Sequence, residues 1–141
     1  MLRLIGGALV LAAAILLTGC NSKVVQEFPL TKFKAENMLD QGIRAYDDGN
    51  YKVAARNIQG ALDAGLTTRS QARAHKYLAF ISCVTGREKK CRSEFNKALD
   101  ADPKFELEPA EAGHPIWGQV LRSVKAERAA KAERAAKAKT K

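Results

Sequence analysis

The sequence predicts an all-α fold made of two helical hairpins and a capping helix near the C-terminus. Apolar residues recur at helical spacing between residues 32 and 64, and a later stretch repeats the same pattern of small and apolar positions. A third apolar stripe at helical spacing lies between residues 117 and 124. The chain has 141 residues, of which 46% are hydrophobic and 28% charged, so it is long enough for one modest domain but not for two.

The first 19 residues predict a signal peptide. Arg3 precedes an uncharged apolar segment, residues 4–17, which is too short to span a hydrocarbon core of about 30 Å but typical of a signal-peptide h-region. The segment ends at Leu17-Thr18-Gly19-Cys20, which resembles the lipobox of bacterial lipoproteins. The resemblance implies cleavage before Cys20 and acylation of that cysteine, which would anchor the chain stably. Two other interpretations stay open: an ordinary secretory signal followed by a chance cysteine, and an uncleaved N-terminal helix.

The lipobox resemblance also implies a location and a set of partners. Asn21 follows the cysteine, and by the sorting habit of enterobacterial lipoproteins this implies the periplasmic face of the outer membrane, with residues 20–31 as a lipidated linker. The net charge of the whole chain is +9, and much of it lies in the tail, residues 125–141. An exported chain does not usually meet nucleic acid. We therefore expect the basic tail to face peptidoglycan, anionic lipid or an acidic protein surface.

Two stretches of the chain share small, apolar and turn residues at equal offsets. When Ala35 and Ala72 are aligned as first positions, the first unit has Gly42, Gly49, Tyr51, Ala54, Ile58, Ala61 and Leu62. At the same offsets, the second has Ala79, Gly86, Glu88, Cys91, Phe95, Ala98 and Leu99. This set resembles the tetratricopeptide repeat, a helix-turn-helix unit of about 34 residues.

The residue types of the repeat have a physical explanation. Gly42 and Ala79 are small, so the second helix of each pair can approach closely, and glycines between the paired helices accept backbone angles that other residues avoid. The match is imperfect, because Ala45 and Ser82 depart from the family pattern and extra residues separate the two units. A generic helical bundle is the alternative interpretation.

Two repeats cannot bury their own apolar faces, so a cap is expected within residues 32–124. Residues 105–109 are predicted to be extended. A new helix is predicted to begin at Gly113-His114-Pro115, with Pro115 suited to its first position. The predicted capping stripe consists of Trp117, Val120, Leu121 and Val124. Beyond it, residues 125–141 are rich in Ala, Lys, Arg and Glu, which predicts a solvated helix or a frayed tail. The tail is either a basic arm that contacts an anionic surface or a solubilising extension.

Cys83 and Cys91 are the two cysteines besides Cys20. In an oxidising compartment, two thiols eight residues apart favour a disulfide. Two free buried thiols, or a zinc site that also uses His75, are the alternatives, although this cysteine spacing is not a familiar zinc-finger spacing.

The sequence predicts a binding protein and not an enzyme. Glu111, His114, Pro115 and Trp117 form the one cluster that suggests chemistry, and we expect it to be a structural motif in which His114 caps a helix and Trp117 packs. No metal or other cofactor is expected. The repeat resemblance implies a concave binding face to which the first helix of each unit contributes Leu39, Ile43, Tyr46, Asp47, Arg73, Lys76 and Phe80. Basic and aromatic side chains together would suit an acidic peptide, unless the capping helix or residues 24–30 occupy the groove.

The stretch Pro-Ala-Glu-Ala-Gly-His-Pro-x-Trp-Gly, residues 109–118, adds a more specific resemblance. Together with the lipobox and the two repeats, it is similar to small lipoproteins of the TssQ type, which are associated with bacterial type VI secretion. This resemblance implies a non-enzymatic accessory that scaffolds a secretion complex. The alternative is a lipoprotein that regulates peptidoglycan synthesis or remodelling, with its basic tail on the acidic wall.

Overall fold

The computed structural model describes residues 23–140, and its side chains from residue 30 onward. The signal segment and Cys20 lie outside the described residues. Within this range the chain folds into six helices and no strand: α1 Lys23–Asp47, α2 Tyr51–Ala64, α3 Thr68–Val84, α4 Glu88–Ala101, α5 Pro109–Ala112 and α6 Trp117–Lys139. The predicted all-α fold with helical hairpins and a C-terminal helix is confirmed. None of these helices is long and apolar enough to cross a bilayer.

The first hairpin pairs α1 with α2 around a tight turn. Gly49 has a φ of +75°, which favours glycine, and the Asn50 side chain accepts a hydrogen bond from the backbone N–H of Val53 at the start of α2. A Cβ atom added at Gly42 would lie 2.5 Å from Cγ1 of Ile58, so only glycine allows this approach of the two helices. Helix α1 begins at Lys23, which is well before residue 32, where the apolar pattern of the sequence starts.

The second hairpin pairs α3 with α4 in the same way. Thr67 caps α3, and Gly86 has a φ of +71° in the turn before α4. Cys83 near the end of α3 and Cys91 in α4 are joined by a disulfide with a Cα–Cα distance of 5.1 Å. His75 contacts Glu94 rather than the cysteines, so these three residues do not form a zinc site.

Helix α3 separates two apolar clusters. Its Ala74, Leu78 and Ile81 pack with the buried faces of α1 and α2, where Ile58 is fully buried. Its opposite side packs with α4, with the segment that contains Phe105 and Leu107, and with α6.

The cap consists of α5 and the first half of α6. Leu121 and Val124 are buried, whereas Trp117 and Val120 are half-buried. Helix α6 begins at Trp117, so Pro115 precedes the helix instead of occupying its first position; Pro109 has that position in α5. Helix α6 continues without a break to Lys139, so the predicted tail is helical, and its side chains are exposed from Ala126 through Thr140.

Candidate protein-binding face

Three of the seven predicted binding residues belong to the core. Leu39, Ile43 and Phe80 are 0%, 7% and 2% exposed, so they offer almost no surface to a partner. The neighbouring helices of the two units cover Leu39 and Ile43, and the C-terminal segment covers Phe80, so these residues are not exposed in a groove. Their assignment as binding residues was therefore wrong.

The two predicted cations are already paired. Nζ of Lys76 lies 2.7 Å from Oε1 of Glu111, and both side chains are largely buried. Nη1 of Arg73 lies 3.2 Å from Oδ1 of Asp40 on the surface. An acidic peptide would have to compete with these carboxylates, so the charge expected to hold it is compensated within the chain.

Residues 109–118 fill the groove of the second hairpin. The indole ring of Trp117 stacks on Phe80 with a centroid distance of 4.5 Å, and its Nε1–H donates to the carbonyl oxygen of Glu111 at 3.1 Å. The ring of His114 stacks in turn on Trp117. Its Nδ1 accepts a hydrogen bond from the backbone N–H of Ile116 at 3.2 Å. We call residues 109–118 the wedge; they comprise α5, the turn after it and the first two residues of α6.

Two residues of the wedge, Glu111 and Gly118, are each suited to a specific contact. The Glu111 carboxylate binds Lys76 through one oxygen and accepts a hydrogen bond from the Glu108 backbone N–H through the other, at 3.1 Å. A Cβ atom at Gly118 would collide with the carbonyl oxygen of Ala112.

Trp117 packs as expected, but the expectation that His114 caps the last helix was wrong. Ile116 is the N-cap of α6 and has no side-chain capping bond, and His114 instead accepts from the Ile116 backbone N–H before the helix begins.

Beside the wedge lies a surface that we call the tyrosine face: Tyr46, Tyr51, Tyr77 and Asp47. The ring centroid of Tyr46 lies 5.6 Å from that of Tyr51 and 5.2 Å from that of Tyr77, with interplanar angles of 43° and 73°. Tyr46 and Tyr77 are half-buried, whereas Tyr51 and Asp47 are exposed. Two predicted binding residues, Tyr46 and Asp47, therefore remain at the surface together.

The tyrosine face has an electrostatic character of its own. Burial raises the pKa of Tyr46 to about 12, and the neighbouring phenols of Tyr51 and Tyr77 and the carboxylates of Asp47 and Glu111 add to the shift. Burial also raises the pKa of Tyr77, although Arg73 acts in the opposite direction. Within residues 30–140, none of the three tyrosine hydroxyls has a hydrogen-bond partner and Asp47 has no ion pair. These polar groups are free to bind a partner.

Two features of this region were missed in the sequence. Tyr77 precedes Phe80 by three positions, so the two rings share one stripe of α3, and that spacing is the signal that could have revealed it. The other feature is Glu94, which is 3% exposed and lies 2.8 Å from Nδ1 of His75 and 3.0 Å from Nζ of Lys97. Burial alone would raise the pKa of Glu94, but the hydrogen bonds from His75 and Lys97 outweigh it and lower the pKa.

The comparisons with known proteins add no relative. No family model, no curated protein and no solved structure matches this chain. The residues that the structure describes contain no group of three His, Cys, Asp or Glu side chains placed to hold a metal ion.

Proposed function

We propose that this chain is a non-enzymatic envelope lipoprotein that acts as a protein–protein adaptor, as an accessory of a type VI secretion system. The lipobox-like Leu17-Thr18-Gly19-Cys20 supports the lipid anchor, and the similarity of residues 109–118 to TssQ-type lipoproteins supports the secretion role. The outer membrane is the proposed location, through the Cys20 lipid.

The observation that carries the adaptor role is the tyrosine face. Tyrosine is favoured at protein interfaces because it supplies a large contact area and a hydroxyl group at a low cost in side-chain entropy. Three neighbouring tyrosines and Asp47, whose hydroxyls and carboxylate have no partner within residues 30–140, provide the elements of an interaction surface. All four residues lie on helices: Tyr46 and Asp47 at the end of α1, Tyr51 at the start of α2, and Tyr77 in α3.

Photo-crosslinking in cells tests the adaptor role. A photoreactive phenylalanine derivative replaces Tyr51 in one strain and Gln59, an exposed residue farther along α2, in a control strain. We expect irradiation to join the chain to a component of the secretion apparatus from position 51 and not from position 59. Equal adducts from both positions, or none from position 51, would contradict an adaptor surface at the tyrosine face.

The same experiment distinguishes the peptidoglycan alternative. The exposed second half of α6 carries Lys131, Arg134, Lys137 and Lys139, and its one acidic residue, Glu133, is already paired with Lys137. This is the observation that favours contact with an acidic wall. An adduct between position 51 and a peptidoglycan synthase or hydrolase would replace the secretion role by this regulatory role.

The anchor is tested separately. In cells fed radiolabelled palmitate, we expect label in the wild-type chain and none in Cys20→Ser, with the wild type in the outer-membrane fraction. Equal label in both chains would disprove the lipobox interpretation, and a wild-type chain found with inner-membrane markers would disprove the location.

A further inference from the structure

We propose that the tyrosine face binds a cationic side chain, Lys or Arg, presented by the partner protein. This inference rests on the adaptor role proposed above and names the chemistry of the partner. It reverses the expectation from the sequence, which assigned an acidic ligand to this side of the molecule.

The ring arrangement suits a cation. A lysine ammonium or an arginine guanidinium is attracted to the face of an aromatic ring within about 6 Å of the centroid. Tyr51 and Tyr77 flank Tyr46 at centroid distances of 5.6 and 5.2 Å, and the rings are inclined to one another. Inclined neighbouring rings let one bound cation face more than one π system.

The charge around the rings points the same way. Asp47 is the last residue of α1, where the carboxyl end of the helix dipole adds negative potential, and Asp48 follows it. Nearby Lys76 and Arg73 are each neutralised, by Glu111 and Asp40.

Arg44 and Lys52 are exposed cations next to this face in the sequence. The carboxylates that act on the Tyr46 phenol, however, are those of Asp47 and Glu111. Glu111 is paired with Lys76, whereas Asp47 has no ion pair within residues 30–140, so the carboxylate of Asp47 is the one open to a partner's cation.

Lys76 already occupies a site of the same kind within the chain. Nζ of Lys76 lies 4.9 Å from the Tyr77 centroid and 5.7 Å from the Phe80 centroid, and it pairs with the Glu111 carboxylate. A cation there meets two rings and one carboxylate. The tyrosine face offers the same two kinds of group, the rings of Tyr46 and Tyr51 and the carboxylate of Asp47, and no Lys or Arg in the described range pairs with Asp47.

Fluorescence anisotropy tests this proposal with the full-length chain in detergent. The probes are two labelled octapeptides, one alternating Arg and Gly and the other alternating Glu and Gly. We expect Tyr51→Ala and Asp47→Asn each to weaken the arginine peptide about 3-fold, since an exposed cation–π contact or ion pair contributes about 0.5–1 kcal/mol. Tyr51→Phe keeps the ring and should bind like the wild type.

The matched control is Asp63→Asn, which makes the same charge change on an exposed residue. Asp63 lies at the other end of α2, about 18 Å from Tyr51 along the helix. This control should leave the affinity for the arginine peptide unchanged. The glutamate peptide can bind the basic half of α6 instead, so its affinity should not fall in any of these four variants.

The outcomes separate the two proposals. If Tyr51→Ala and Asp47→Asn leave the arginine peptide unaffected, or if Asp63→Asn weakens it equally, the cation site is disproved. If that happens while position 51 still crosslinks to a secretion component, the adaptor role stands and only the partner chemistry fails. If the variants weaken the arginine peptide as expected but position 51 crosslinks to nothing in cells, the cation site stands and the adaptor role fails.

Discussion

The two hairpins follow one packing scheme but differ in what covers them. Gly42 in the first and Ala79 in the second mark the close approach of the paired helices, and each turn contains a glycine with positive φ. The second hairpin is bonded by a disulfide and covered by the wedge and α6. The first is more open: Leu30 and Phe33 are 72% and 69% exposed, and the tyrosine face lies at its turn end. Within residues 30–140, the C-terminal segment thus covers the second hairpin, whereas no described segment covers Leu30, Phe33 or the tyrosine face at the first.

The largest predicted effect is the difference in stability between removing an aromatic ring from the cover of the second hairpin and removing one from the first hairpin. Trp117→Ala removes a ring that stacks on Phe80 and a hydrogen bond to Glu111, so we expect it to lower the free energy of unfolding by about 3 kcal/mol. Phe33→Ala, the matched change on the first hairpin, removes an exposed ring and should cost less than about 0.5 kcal/mol. Urea unfolding followed by circular dichroism measures both. Equal losses in the two variants would mean that the wedge does not cover the second hairpin in the way described.

The next effect concerns the disulfide, which has no counterpart in the first hairpin within the described residues. Cys83 and Cys91 are eight positions apart, and a closed loop of this size stabilises the folded state by about 2.5 kcal/mol in the chain-entropy model. We expect the double variant Cys83→Ala/Cys91→Ala to melt at a lower temperature than the oxidised wild type. Mass spectrometry of the unreduced wild type should show no alkylatable thiol at either position. Two alkylated cysteines would show that the disulfide does not form.

Glu94 gives the second hairpin an acid-sensitive contribution. Because its pKa is lowered in the folded state, Glu94 adds stability above its ordinary pKa of 4.5, and this stability is lost as the pH falls through the folded-state value. At pH 7 we expect Glu94→Gln to cost about 1–2 kcal/mol through its weakened hydrogen bonds with His75 and Lys97. Unfolding measured between pH 7 and pH 3 should therefore show the two curves converging at low pH. A constant difference across this range would exclude the carboxylate as the cause.

The helical hairpins could be predicted because their information is local. Apolar periodicity, the small residues Gly42 and Ala79, and the turn glycines all act within one hairpin of the chain. The start of the C-terminal helix was misplaced by two residues, since Pro115 was expected at its first position and α6 begins at Trp117. Local patterns predict that a helix exists better than they predict where it begins.

The candidate site could be predicted only in part, because it depends on long-range packing. The pairs Lys76–Glu111 and Arg73–Asp40 join residues 35 and 33 positions apart, so no local pattern could show that both cations were compensated. Of the predicted binding residues, Tyr46 is half-buried and Asp47 is exposed, so their role stays a prediction, whereas Phe80 is buried because Trp117 docks on it. Because Lys76 and Arg73 are paired within the chain, the ligand that we propose is cationic and not acidic.

The smallest predicted effect is the loss of stability on shortening α6, and it should show at which residue α6 stops contributing to the second hairpin. Glu127 pairs with Arg92, and Arg128 lies 2.8 Å from Asp100, so α6 still contacts α4 at these positions. Beyond Arg128 the side chains of α6 are exposed as far as they are described. Truncation after Arg128 should change the free energy of unfolding by less than about 0.5 kcal/mol, whereas truncation after Lys125 also loses two exposed ion pairs and should cost about 1 kcal/mol. The difference between the two truncations should shrink in 1 M salt, because exposed ion pairs are screened. A large loss on truncation after Arg128 would make the distal half of α6 part of the fold, and it would then no longer be an arm free to reach an anionic surface.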